Sequence, residues 1–212
     1  MEAYKTEEEQ VEALKKWWEK NGTSVIIGAI VVVLAIAGWR YWQTEKITTN
    51  VQASTLIEHA TQALDRGDDQ AVSDAAGQVL ASFSDTAYAP MAALLLAKSK
   101  YGSGDVESAQ TYLQWALDNA KDDAVKHVAR IRLASVLWDQ EKPDEALQLI
   151  NSVEHGKFVA GYEELRGDIL ASQGQNDQAI QAYELAVSDE GAVADRESIQ
   201  LKIDALKSAS AK

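Results

Sequence analysis

From Asn21 to Trp39 the chain runs 19 residues without a charged side chain, and this run limits the possible folds more than any other feature. As a helix rising about 1.5 Å per residue it covers roughly 28 Å, close to the hydrocarbon thickness of a bilayer. Its centre, Val25 to Ile36, is apolar on every side, whereas a surface helix of a soluble protein keeps a polar face. Trp17 and Trp18 precede the run and Trp39, Arg40, Tyr41 and Trp42 follow it. Aromatic rings with one polar atom favour the headgroup level, and an arginine there can extend its charge outward. The sequence predicts a cytoplasmic amphipathic tail over 1–22, a transmembrane helix over 23–42 in contact with the lipid bilayer, and an exported domain over 43–212.

A cleavable signal peptide is the competing reading, because Ala35-Ile36-Ala37 has the small-x-small form of a cleavage site. Two features oppose it. Six carboxylates stand in the 22 residues before the apolar run, and the residues after Ala37 continue as Gly38-Trp39-Arg40-Tyr41-Trp42 instead of turning polar. An uncleaved anchor is the favoured outcome. Lys5, Lys15, Lys16 and Lys20 precede the span, and after Arg40 only Lys46 lies nearby. Lysine and arginine accumulate on the cytoplasmic side, so the N-terminus is expected in the cytoplasm and the C-terminal domain outside it, in the periplasm if the cell is bacterial. The chain has no cysteine, which suits that compartment without a disulfide framework.

The residues after Trp42 hold 27 carboxylates against 15 lysines and arginines. A domain so acidic repels phosphate backbones, which argues against nucleic-acid binding. Alanine, leucine, glutamine and glutamate recur, prolines number two, and alternating strand-type runs are few, so the expected fold class is all-α. Leu56, Ile57, Ala60, Ala63 and Leu64 form an apolar stripe on the first helix after the span.

Repetition refines this expectation. Ala109, Ala146 and Ala179 each stand just inside a helix that follows a turn, and they are 37 and 33 residues apart, near the 34-residue period of tetratricopeptide repeats. A fainter copy runs Gly67-Asp68-Asp69-Gln70-Ala71. Small residues are needed where paired helices approach closely, and larger apolar ones where gaps between them must be filled. Gly167, Gly174, Tyr183 and Ala186 meet these needs around Ala179, and Ala97, Gly104, Leu113 and Ala116 around Ala109. Around Ala146 the set is Ala134, Glu141, Ile150 and Val153, where a glutamate stands at the turn, so this repeat is expected to be less regular. Asp195 to Lys207, with Ile199, Ile203 and Leu206 in one stripe, reads as a helix closing the solenoid, and Ser208 to Lys212 as a frayed tail.

No catalytic constellation stands out. His59, His127 and His155 are isolated in sequence, no cysteine completes a metal set, and adjacent acids such as Asp122-Asp123 point in different directions on a helix. No cofactor is expected. A helical solenoid instead offers a groove lined by the first helix of each repeat. Leu94, Lys98, Tyr101, Ile131, Ser135, Trp138, Glu164 and Asp168 are the candidate partner-binding residues there. Tyr101 and Trp138 suit hot-spot anchors, although Trp138 equally suits inter-helix core. Tyr112 and Trp115 read as packing or convex-face residues. In the tail, Thr6-Glu7-Glu8-Glu9 forms a capping box ahead of Val11, Leu14 and Trp18, an amphipathic helix that suits the membrane surface or a cytoplasmic protein.

The opening Met1-Glu2-Ala3-Tyr4, the stretch Glu9-Gln10-Val11-Glu12-Ala13-Leu14-Lys15-Lys16-Trp17-Trp18, a single span leaving through Gly38-Trp39-Arg40-Tyr41-Trp42, and a helical-repeat domain together resemble the YfgM family. That family comprises ancillary subunits of the bacterial Sec translocon. The resemblance implies an inner-membrane protein with its N-terminus in the cytoplasm and a periplasmic tetratricopeptide-like domain. Implied partners are the SecYEG channel, the membrane-anchored chaperone PpiD and, through the tail, a cytoplasmic response regulator. The implied role is non-enzymatic: handing newly translocated proteins to chaperones.

Overall fold

The computed structural model describes residues 7–188 and 196–210 of the chain. Met1-Glu2-Ala3-Tyr4, the capping-box Thr6 and Asp195 lie outside the described residues. Nine α-helices follow in order among those described: α1 (Glu7–Asp65), α2 (Asp69–Ser82), α3 (Tyr88–Gly102), α4 (Val106–Asn119), α5 (Asp123–Asp139), α6 (Pro143–Asn151), α7 (Val159–Ser172), α8 (Asn176–Ser188) and α9 (Arg196–Ser210), with a 3-10 turn at Gly156–Phe158. No strand occurs among the described residues. The chain divides into two compact units, Met1–Thr49 and Asn50–Lys212.

Among the described residues one helix, α1, is long and apolar enough to cross a membrane, and its apolar run lies in the first unit. From Thr23 to Trp39 it is exposed throughout, with Ile27 at 56% and Leu34 at 65%, so this stretch is no buried core helix of a soluble fold. Polar side chains near its ends are satisfied within the helix: the Asn21 amide donates to the Trp17 carbonyl at 2.9 Å and the Thr44 hydroxyl to the Arg40 carbonyl at 2.9 Å. Donors turned inward in this way leave the surface apolar. Lys46 sits 3.7 Å from the centroid of the Trp42 ring, and the Trp39 and Trp42 rings are 5.7 Å apart.

In the second unit the two helices of each of the four repeats are joined by the same turn. The Gly104 N–H donates to the Tyr101 carbonyl and the Asp105 N–H to the Lys100 carbonyl. Gly67 and Asp68, Glu141 and Lys142, and Gly174 and Gln175 repeat that pair of bonds. The pattern ends a helix by placing one residue in the left-handed region, where glycine is unstrained. Gly67, Gly104 and Gly174 stand there at φ 70°, 84° and 73°, and Glu141 takes the same conformation at φ 61°. The Asp68 and Asp105 carboxylates cap the following helices, accepting from the Ala71 and Ser108 N–H groups, and Pro143 fits the first turn of α6, where its missing N–H costs nothing.

Aligning these turns corrects the faint repeat by one residue. Counting five positions from each turn residue gives Ala109, Ala146 and Ala179, and in the first repeat Val72 rather than Ala71. Val72 is fully buried whereas Ala71 is only partly so. The first repeat pairs the end of α1 with α2, so the stripe expected on a separate helix lies on α1: Ile57, Ala60 and Ala63 pack with Val72, Ala76, Val79 and Leu96. The middle repeat is regular at its Glu141 turn and irregular at its far end. There α6 stops at Asn151, Val153 is only partly buried, and the 3-10 turn follows.

Close approach of helices is graded by residue size. Ala60, Ala97, Ala134 and Gly167 occupy one position, and Ala76, Leu113, Ile150 and Tyr183 the position facing it. The largest residue of the second set faces the smallest of the first, and a methyl group on Gly167 would overlap the Tyr183 ring. Ile199 and Ile203 of α9 cover the last pair, packing with Leu170, Tyr183 and Ala186. This helix closes the stack and continues to Ser210, past the residue where fraying was expected to begin.

Candidate functional site

The expected groove residues come from three equivalent helices. Leu94, Lys98 and Tyr101 stand on α3, Ile131, Ser135 and Trp138 on α5, and Glu164 and Asp168 on α7. Lys98, Ser135 and Asp168 share one repeat position, six residues before each turn residue. The groove therefore passes from cationic through neutral to anionic.

Between α3 and α5 lies a cavity of about 360 Å³. Its floor is Ala97, Leu113 and Val136, and its rim is Lys98, Tyr101, Arg132, Ser135 and Asp139. Of the expected residues it unites Lys98, Tyr101 and Ser135. Leu94, Ile131 and Trp138 instead pack partly buried against the main core cluster. Arg132 and Asp139 were missed, although a signal existed: they lie seven residues apart on α5 and flank Ser135 at helical spacing.

Tyr101 and Trp138 occupy equivalent positions and make equivalent bonds. The Tyr101 hydroxyl donates to the Asp139 carboxylate, and the Trp138 indole N–H donates to the Ser172 hydroxyl at 3.1 Å. Each bond joins the first helix of one repeat to that of the next. The hydrogen bond to Asp139, then burial, holds the Tyr101 phenol above its ordinary pKa and therefore protonated. Tyr101 keeps 46% of its surface exposed.

Glu164 and Asp168 are engaged within the domain. Lys202 of α9 reaches Glu164 at 3.2 Å and Asp168 at 2.7 Å, and the Tyr183 hydroxyl donates to Asp168 at 2.6 Å. Burial opposes the charge on Lys202, but the hydrogen bonds and attraction of Asp168 and Glu164 outweigh it and raise its pKa. Burial, then the bond to Asp168, likewise raises the Tyr183 phenol. Tyr112 and Trp115 pack partly buried between core clusters.

Two of the histidines, isolated in sequence, meet in space. His155 stacks on Tyr162 with centroids 4.0 Å apart, and His127 Nδ1 lies 2.8 Å from the Tyr162 hydroxyl. His155 Nε2 contacts the Ile150 carbonyl at 2.8 Å, and buried Glu163 is held by Arg166 at 2.5 Å. Among the described residues no group of three or more metal-ligating side chains converges.

The fold is that of a tetratricopeptide-type repeat, and residues 15–208 match the family described as "Tetratricopeptide repeat-like domain". A solved structure, "MamA RS-1 ArsTM double mutant", superposes at a TM-score of 0.53 with 16% identity over 75% of this chain and 96% of that one. That likeness concerns fold alone. Full-length similarity is narrower. The "Ancillary SecYEG translocon subunit" of Escherichia coli (strain K12) is 31% identical over 97% of this chain and 99% of its own length, and that of Haemophilus influenzae is 32% identical over 96% and 100%. The protein of the same name from Neisseria gonorrhoeae is 25% identical over 98% and 100%. The chain belongs to the family of ancillary SecYEG translocon subunits.

Proposed function

We propose that this protein is a non-enzymatic scaffold of the inner membrane. Its span docks against the SecYEG channel and its repeat domain, on the periplasmic side, holds a PpiD-like chaperone that receives newly translocated proteins. The observation that carries this reading is the pairing of an exposed apolar segment of α1, Val25 to Ile36, with a stack of repeats whose groove has an open cavity. The lysine bias before the span supports a cytoplasmic N-terminus, and near-complete coverage of relatives named for the translocon supports the choice of channel. Purification of the full chain in mild detergent is expected to recover SecYEG and the chaperone. Recovery of neither would refute the reading.

A second role rests on the tail. Val11, Leu14 and Trp18 form a stripe that is 52%, 66% and 50% exposed, which suits capture of a cytoplasmic response regulator. Deleting residues 2–20 should then abolish signalling while translocon association persists. The opposite pattern would reject that role.

A further inference from the structure

Charge separates the two ends of the groove. At the α7 end both carboxylates are occupied by Lys202. At the α3–α5 end Lys98 and Arg132 are exposed on the cavity rim, and neither has an ion-pair or hydrogen-bond partner among the described residues. Asp139, the carboxylate sharing this rim, accepts the Tyr101 hydroxyl. Two unpaired cations against one engaged carboxylate form a positive site on a chain whose net charge is −13. The floor beneath them, Ala97, Leu113 and Val136, is apolar and nearly closed to solvent.

We infer that this cavity receives an acidic segment of a partner protein, with an aspartate or glutamate side chain on Lys98 and Arg132 and a neighbouring apolar side chain on the floor. An arginine fork beside a lysine point charge matches a carboxylate, which can accept from both. A volume of about 360 Å³ accommodates one or two side chains, not a folded element. Polyphosphates and nucleic acids are disfavoured, because the surrounding acidic surface repels dense negative charge. A short peptide segment brings one or two charges together with apolar area. The cations guide its approach and fix its register, and the floor adds affinity. This assignment rests on the reading of the repeat domain as a scaffold and specifies the chemistry of what it holds.

Fluorescence anisotropy of the full chain in lipid nanodiscs tests it. The probe is a short fluorescein-labelled peptide alternating leucine and glutamate, amidated at its C-terminus, compared with its leucine–glutamine counterpart. The glutamate peptide should bind about tenfold more tightly, and raising salt should erode the difference. The double variant Lys98→Gln/Arg132→Gln should lose that preference, whereas Lys121→Gln/Lys142→Gln, the same charge change outside the cavity, should keep it. Equal binding of the two peptides, or an undiminished preference in Lys98→Gln/Arg132→Gln, overturns the inference. A glutamine peptide that binds only when its C-terminus is free also overturns it, by making the occupant a terminal carboxylate. Failure of the scaffold reading is separate: it appears as native chain that does not co-purify with SecYEG, whichever peptide binds.

Discussion

Replacing Gly167 by alanine should destabilise the repeat domain through one contact. The added methyl would overlap Cε1, Cδ1 and Cζ of Tyr183, so the ring must turn aside or α7 and α8 must separate. Overpacking of this kind typically costs about 1 to 3 kcal/mol. A displaced Tyr183 also loses its 2.6 Å bond to Asp168, worth about 1 kcal/mol. Alanine returns roughly 1 kcal/mol through its better helix propensity, leaving a net loss of about 1 to 3 kcal/mol. In a domain of this size that lowers Tm by roughly 2 to 12 °C. Thermal melts of the full chain in mild detergent, followed by circular dichroism at 222 nm, measure the effect. The second repeat supplies a control, since Leu113 faces Ala97 at the equivalent positions. Gly167→Ala combined with Tyr183→Leu recreates that pair and should be more stable than the sum of the single changes by about 1 kcal/mol or more. Additive losses, or a Gly167→Ala protein as stable as the native one, would show that size matching does not govern this crossing.

Other consequences follow from the turns, the histidines and the cap. Glu141→Gly relieves a left-handed glutamate and should raise Tm by a few degrees, about 1 kcal/mol, after allowing for the greater freedom of glycine when unfolded; no rise would mean that the turn carries no strain. Burial first, then Arg130 and His155, depress the pKa of His127 below 6.5 against the opposing pull of Asp123. The unfolded chain therefore takes up this proton first, so the stability His127 contributes is complete above about pH 6.5 and lost as pH falls through its lower native value. Urea midpoints should drop less between pH 7.5 and 5 in His127→Gln than in the native protein, and parallel profiles would exclude the effect. Lys202→Met should leave Glu164 and Asp168 without their cation and cost about 1 kcal/mol. Hydrogen exchange should then quicken in α9 more than in α3, and uniform acceleration would contradict a local cap.

The sequence discloses the repeats because small residues at fixed spacing are a steric requirement, and sterics leave a mark on composition. Ala97, Ala109, Ala116, Gly167 and Ala179 are recognisable for that reason. Val72 escaped because a valine fills a position held elsewhere by alanine, and the adjacent Ala71 offered a false register. Part of the groove was legible from repeat position, as Lys98, Tyr101 and Ser135 attest. Which groups are already engaged was not, because Lys202 stands 34 residues beyond Asp168 and belongs to a helix outside the repeating pattern. The meeting of His127 and His155 on Tyr162 depends on the irregular end of α6 and the turn after it, where the period itself breaks.

The bonds Tyr101 to Asp139 and Trp138 to Ser172 are the same rung drawn twice, donated by one repeat and accepted by the next. Such a rung gives the stack a direction without tying any repeat to a particular neighbour. If the middle repeat were excised whole, the Tyr101 hydroxyl would come opposite Ser172, whose oxygen accepts as Asp139 does. Length is therefore adjustable at one place: loss of α5 and α6 shortens the platform by a repeat and leaves Tyr101 an acceptor, whereas a second copy of α3 and α4 would set its tyrosine opposite Gly102, which has no side-chain acceptor.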